Sequence, residues 1–164
     1  MSLLLSAIGA TVAAVLDVTL GRYLTIGDAT PHLLLVLGVI WSIAAGLERG
    51  IAWAFVGGLV ADALLSHPLG ATPFALLIAV GGARLVAQPF TRLRVLAPIV
   101  AVPIFSVVFS VLIFVLASNG QSAIGDPIGL FLPAAIYDGV LGIALGPLIV
   151  STHDRQVAVE RLEW

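Results

Sequence analysis

The chain has 164 residues, of which 60% are hydrophobic and 10% are charged, with a net charge of −2 and no cysteine. So few charges cannot cover a water-soluble domain of this length, which excludes that class and indicates a protein embedded in lipid. The absence of cysteine excludes disulfides, thiolate catalysis and cysteine-bound metal. The slight negative charge argues against a nucleic-acid partner.

Apolar stretches separated by turn residues predict six transmembrane helices. A helix needs roughly 20 apolar residues to cross about 30 Å of hydrocarbon. The six stretches are residues 2–20, 32–47, 51–65, 71–88, 95–117 and 128–150. The second and third are short and are separated by a predicted turn at residues 48–50, so bilayer thinning and a re-entrant hairpin are the alternatives there. We therefore predict an all-α, polytopic membrane domain at residues 1–150, folded as one compact bundle, and a short polar tail at residues 151–164.

The distribution of arginines indicates the orientation of the bundle. With a cytoplasmic N-terminus, only Arg22 lies outside. The other six lie on or toward the cytoplasmic side: Arg49, Arg84, Arg92, Arg94, Arg155 and Arg161. Both termini are therefore expected in the cytoplasm. A cleaved signal peptide is the alternative for residues 2–20, but this stretch has no basic start and is longer than the apolar region of a signal, so we expect a retained helix.

Small residues recur at every fourth position along four of the predicted helices. Because lipid provides no hydrophobic force between helices, such positions allow the close backbone contact that holds a membrane bundle together. The expected packing positions are Ser6, Ala10, Ala14, Gly46, Gly50, Ala54, Gly58, Ala71, Ala75, Ala79, Ala83, Ala87, Ala134, Gly142 and Gly146. One of these stripes could instead receive the helix of a partner protein.

Four ionisable side chains fall inside predicted helices, where a charge is costly and by default suggests a function. Asp17, Asp62 and Asp138 are expected in the outer half of the membrane or near its midplane, and Arg84 in the inner half. The structural alternatives are interfacial water for Asp17, helix-to-helix hydrogen bonds for Asp62 and Asp138, and the cytoplasmic surface for Arg84. The functional alternative for the acids is an outward-facing polar pocket. If Asp62 only bonds a neighbouring helix, asparagine should replace it at almost no cost.

The chain carries no recognisable catalytic or metal-binding motif. Tyr137 and Asp138 resemble half of an intramembrane aspartyl protease site, but the Gly-x-Gly-Asp half is absent before Asp62. The three histidines are scattered along the chain, and we expect His32 and His67 at the membrane interface. We therefore expect no enzyme activity, no cofactor and no bound metal.

Two stretches of the chain resemble the rod shape-determining protein MreD family. Residues 30–37 are similar to the start of that family's second helix, and residues 55–70 are similar to its Gly- and Asp-containing core. The six-helix layout, the short tail and residues 132–138 are similar too. The family pattern would place a polar neutral residue at position 17, Asp at position 32 and Asn at position 138, where this chain has Asp17, His32 and Asp138.

The resemblance implies a non-enzymatic subunit of the bacterial cell-elongation complex in the inner membrane. Such subunits bind the bitopic scaffold protein MreC and act with MreB filaments and the RodA–penicillin-binding transpeptidase pair that builds lateral peptidoglycan. The family is also similar in fold to the substrate-binding subunits of energy-coupling-factor transporters, which implies an outward pocket. The partner or pocket candidates are Asp17, Asp62, Asp138, Pro31, Pro68, Leu69 and Gly70.

A small-molecule binder, such as a vitamin-uptake subunit, is a second function that the sequence allows. Its pocket would need several converging aromatic and polar side chains, and the aromatic residues, three Trp, two Tyr and seven Phe, provide few. A channel is a third possibility, but no selectivity-filter motif or charged pore ring is present. A bound vitamin would favour the second function, and a co-purifying bitopic coiled-coil protein would favour the first.

Overall fold

The computed structural model describes residues 3–21, 23–25, 30–65, 69–88, 95–117 and 127–160. Within these ranges the chain forms six helices and no strand: α1 (Leu3–Leu20), α2 (Leu33–Ala45), α3 (Leu47–Leu65), α4 (Ala71–Ala87), α5 (Ala97–Ala117) and α6 (Pro127–Glu160). This arrangement confirms the predicted all-α polytopic bundle. In the part of the chain that the structure describes, three segments are long and apolar enough to cross a membrane: Leu3–Leu20, Ala97–Leu116 and Phe131–His153. The helices α2 and α4 are apolar but shorter.

The shortest helix, α2, lies at the centre of the bundle and contacts all five other helices. These surround it in the order α1, α3, α4, α5 and α6, with each packed against the next. Nine of the 13 residues of α2 are buried. Because protein covers the sides of this helix, its length of roughly 20 Å requires neither a thinned bilayer nor a re-entrant hairpin.

The turn between α2 and α3 consists of a single residue, Gly46. Its φ of +103° is a backbone conformation that favours glycine. The Gly46 amide donates to the Ser42 carbonyl at 3.1 Å, and the Gly46 carbonyl accepts from the Gly50 amide at 3.1 Å. The predicted turn at residues 48–50 is therefore wrong, since these residues form the first turn of α3. The packing role predicted for Gly46 is also wrong, because a Cβ added there would meet nothing within 4 Å.

The structure places the other predicted glycine positions inside the bundle. A Cβ would come within 3.0 Å of a neighbouring helix at each of four glycines: Gly50, Gly58, Gly142 and Gly146. Six of the predicted alanine positions are fully buried: Ala10, Ala14, Ala54, Ala75, Ala79 and Ala83. Small side chains thus bring α3 against α2 and α4, and α6 against α5.

The last helix, α6, extends into the segment predicted as a polar tail and ends at Glu160. The His153 ring packs edge-on against Trp41 of α2, with ring centroids 6.1 Å apart. The helix therefore continues beyond residue 150, and the remaining tail residues 161–164 lie outside the described residues.

Candidate functional site

Asp17, His32 and Asp138 meet where α1 ends and α2 begins. The His32 backbone amide donates to Asp138 Oδ1 at 2.8 Å, and His32 Nδ1 lies 2.9 Å from Asp138 Oδ2. The Leu33 amide donates to Asp17 Oδ1 at 2.6 Å. Carboxylates from α1 and α6 therefore hold the N-terminus of the central helix, where unpaired N–H groups and the helix dipole favour negative charge.

Asp138 is completely buried, about 16 Å along α6 from its first residue, at 1.5 Å per residue. Besides its two bonds with His32, its Oδ2 accepts a hydrogen bond from the Ser106 hydroxyl of α5 at 2.5 Å. Phe109, one turn further along α5, meets the His32 ring edge-on, with centroids 5.4 Å apart. In a Ser-His-Asp catalytic triad the serine hydroxyl donates to the imidazole. Ser106 donates to the Asp138 carboxylate instead, so these residues do not form a catalytic triad.

Asp62 forms a separate site at the junction of α3 and α4, where it is 1% exposed. Its Oδ2 accepts from the Gly70 amide at 2.7 Å, and its Oδ1 accepts from the Thr72 amide at 3.2 Å. Asp62 lies on α3 and accepts hydrogen bonds from N–H groups at the start of α4, which have no partner within their own helix. Both partners are donors, so asparagine, with one acceptor oxygen, cannot replace Asp62 without cost, contrary to the expectation from the sequence.

A cavity of about 180 Å³ adjoins the cluster of Asp17, His32 and Asp138. Its polar lining includes Asp17, His32 and Thr72, and its apolar lining includes Leu34, Leu35, Leu65, Phe109 and Ile113. The His32 side chain is 25% exposed, whereas the Asp138 side chain is fully buried. Of the three predicted acids, Asp17 alone is among the residues that line this cavity.

The remaining partner candidates surround the start of α4. Leu69 is 78% exposed, and with Gly70, Ala71 and Phe74 it lines a shallow apolar groove that reaches Leu116 of α5. Gly70 has a φ of +106°, which favours glycine at this turn. Another candidate, Pro31, is buried beside His32. Pro68, like His67, lies outside the described residues.

Arg84 lies near the end of α2, whereas Asp17 and Asp138 lie at its start. Its Nη1 donates to the Ile43 carbonyl near the end of α2 at 3.2 Å. Among the described residues, no group of three or more His, Cys, Asp or Glu side chains could hold a metal ion. The polar cluster at the start of α2 is held together by hydrogen bonds.

The sequence alone does not predict the pairing of His32 with Asp138. The two residues are 106 positions apart, and no spacing rule connects them. One signal was present, because both positions depart from the residues that the family pattern would place there. The structure shows that these two departures are in contact.

Most of the chain matches the model of a known protein family. A family model described as rod shape-determining protein MreD matches residues 1–152. The matched region includes α1 to α5 and most of α6. It also includes every residue of the polar cluster, of the cavity beside Asp17 and of the apolar groove at the start of α4. No curated protein and no solved structure matches the chain.

Proposed function

The chain belongs to the rod shape-determining protein MreD family, and on this basis we propose that it is a non-enzymatic subunit of the bacterial cell-elongation complex. The observation that carries the proposal is the family match, which extends across the bundle and supports a rod-shape-determining role in a multi-pass membrane protein. The proposed direct partner is MreC, with MreB filaments and the RodA–penicillin-binding transpeptidase pair in the same complex. The proposed location is the inner membrane, with both termini in the cytoplasm.

The exposed groove at the start of α4 is the contact surface that we propose for a partner. Leu69 and Phe74 are 78% and 51% exposed. Apolar exposure along the middle of a membrane helix is ordinary, since lipid covers it. Leu69, however, lies in a turn beyond the end of α3, and a large exposed apolar side chain in a turn suggests a protein contact.

The size of the cavity beside Asp17 argues against a vitamin-uptake subunit. Pockets for drug-sized ligands usually measure about 300–1,000 Å³, and this cavity measures about 180 Å³. Aromatic stacking is also sparse, since Phe109 is the single aromatic residue in its lining besides the His32 ring. A cavity of this size fits a side chain or a small ligand better than a vitamin.

Co-purification with MreC tests the proposed function. The tagged chain is expressed with MreC, extracted in mild detergent, and its bound proteins and small molecules are identified by mass spectrometry. We expect MreC to be retained in stoichiometric amount. Stoichiometric bound vitamin without MreC would overturn the proposal and favour the transporter reading.

A matched pair of variants tests the groove separately. Leu69→Ala removes the exposed side chain at the groove, and Leu85→Ala removes a side chain that is 61% exposed near the other end of α4. If MreC buries Leu69, its loss weakens retention about tenfold, from roughly 1.5 kcal/mol of lost apolar burial. Retention unchanged in both variants would reject the groove as the contact surface without affecting the proposed function.

A further inference from the structure

The cavity beside Asp17 combines an acidic side chain with a mostly apolar lining. Asp17 lines it from α1, His32 lies at the start of α2, and Phe109 and Ile113 come from α5. Asp138 makes hydrogen bonds with His32 and Ser106 and does not line the cavity. The acidic group that an occupant would meet is therefore Asp17.

The charges around the cavity do not balance within the described residues. Two carboxylates, Asp17 and Asp138, accompany one imidazole, and the ion pair of the cluster joins His32 to Asp138. The Arg84 guanidinium does not reach the cavity, because it donates to the Ile43 carbonyl near the other end of α2. The N-terminus of α2 and the single His32 ring offset only part of the charge of these two buried carboxylates. A positively charged occupant of the cavity would offset more of this cost.

The shape and lining of the cavity restrict the kind of cation. A dry apolar cavity of about 150 Å³ can hold benzene, so a volume of about 180 Å³ admits a group of this size. Leu65 and Ile113 offer apolar surface for a hydrocarbon stem, and Phe109 offers an aromatic ring to a cation. The lack of a metal-binding group among the described residues argues against an inorganic cation.

We propose that this cavity binds an organic cation, an ammonium or guanidinium group on a short apolar stem, with Asp17 as its charge partner. The proposal goes beyond the scaffold function and does not depend on it. The cation could belong to a free small amine or to a lysine or arginine side chain of a partner protein. Both sources present the same chemistry to Asp17, and two arms of one experiment separate them.

The first arm measures binding of n-butylamine to the purified full chain in detergent. The probe is titrated at neutral pH, where it is protonated, and the unfolding midpoint is followed by tryptophan fluorescence, since a ligand of the folded state raises the midpoint in a saturable way. n-Butanol, at the same concentrations, is the uncharged control. We expect saturable stabilisation by the amine and none by the alcohol. Equal effects of amine and alcohol would overturn the proposal.

Variants assign the binding to the cavity. Asp17→Asn removes the charge but keeps an oxygen for the Leu33 amide, and it should weaken amine binding about tenfold to a hundredfold. Glu48→Gln removes an exposed charge from the first turn of α3 and should leave binding unchanged. If Asp17→Asn does not fold, Ile113→Phe provides the test, because the larger side chain fills the cavity and leaves every charged residue in place. Amine binding should then be lost. Unchanged binding in Ile113→Phe, or in a folded Asp17→Asn, would overturn the proposal.

The second arm repeats the MreC co-purification in the presence of saturating n-butylamine. If the natural cation is a basic side chain of MreC, the amine displaces MreC and n-butanol does not. If the natural cation is a free amine, MreC stays bound while the amine occupies the cavity. Both outcomes support an organic-cation site and identify its source, and absence of amine binding in the first arm overturns it whatever MreC does.

Discussion

Among the described glycines, Gly58 leaves the least room for a side chain against a neighbouring helix, and we predict that even alanine is poorly tolerated there. A Cβ added at Gly58 would lie 2.4 Å from Pro73 Cα and 2.5 Å from Pro73 N. An ordinary contact needs at least 3.4 Å, so α3 and α4 must separate by roughly 1 Å. The obstructing atoms are backbone, which cannot rotate away. Overpacking of this kind costs about 1–3 kcal/mol.

The separation would also affect Asp62, one turn further along α3. Its bond to the Gly70 amide is 2.7 Å long, and a shift of about 1 Å would move it outside hydrogen-bond distance. We therefore expect Gly58→Ala to lose about 2–4 kcal/mol in total, from overpacking and one weakened charged hydrogen bond. Gly58→Leu should be worse still, and Leu59→Ala should be milder because Leu59 is already 37% exposed.

Reversible unfolding in mixed detergent–SDS micelles measures this loss. Gly81→Ala is the matched control, since a Cβ at Gly81 meets nothing within 4 Å and alanine favours a helix by up to about 1 kcal/mol over glycine. We expect Gly81→Ala to unfold at or above the wild-type midpoint and Gly58→Ala well below it. Coincident curves for the two alanine variants would refute the argument from close backbone approach.

Two further predictions concern orientation and the buried acid of α6. In intact cells, a cysteine introduced at position 123 should react with a membrane-impermeant thiol reagent and one at position 92 should not; the reverse pattern contradicts cytoplasmic termini. Asp138→Asn should fold, because its oxygen can accept from the His32 amide while its NH₂ donates to Nδ1 of a neutral imidazole. Asp138→Ala removes the acceptor for the His32 amide and the Ser106 hydroxyl, together with the contact to His32 Nδ1, and should lose about 3 kcal/mol or more in the same unfolding assay.

Composition and helix length predicted the class of fold, but not which helix is central. α2 is apolar on all sides, and a helix that is covered by other helices has the same apolar sequence pattern as a helix that is covered by lipid. The short length of α2 is visible in the sequence, where it is compatible with a thinned bilayer or a re-entrant hairpin. The structure explains it by burial, since α2 contacts every other helix and does not have to meet lipid along its sides.

The polar contacts were predictable as a class but not as pairs. Because a charge in lipid is costly, acids inside membrane helices are expected to face other helices. Asp62 and Asp138 are buried, as this argument predicts. Their partners depend on how distant segments meet: the start of α4 for Asp62, and His32 and Ser106 for Asp138. The capping of α4 by Asp62 escapes the usual rules because the cap comes from the preceding helix, whereas sequence rules look for a cap next to the helix start.

Asp62 offers the sharpest test of whether an acid in this bundle is there for structure or for its charge. Its two partners are backbone donors, Gly70 N and Thr72 N. In Asp62→Asn one amide oxygen accepts from one of them, and the NH₂ group faces the other donor. The cost of this unmade hydrogen bond is about 1–3 kcal/mol, and Asp62→Ala, which loses both bonds, should cost more than Asn.

The capping role predicts that stability falls from wild type to Asn to Ala, while every folded monomer still retains MreC. A charge role toward a partner predicts instead that folded Asp62→Asn loses MreC about tenfold or more, from a charged contact worth roughly 1.5–3 kcal/mol. Unfolding midpoints and MreC retention per folded monomer, measured on the same preparations, separate the two. We expect the structural result, because Asp62 is 1% exposed and both its oxygens already accept hydrogen bonds. An Asn variant that unfolds at the wild-type midpoint would contradict the capping argument.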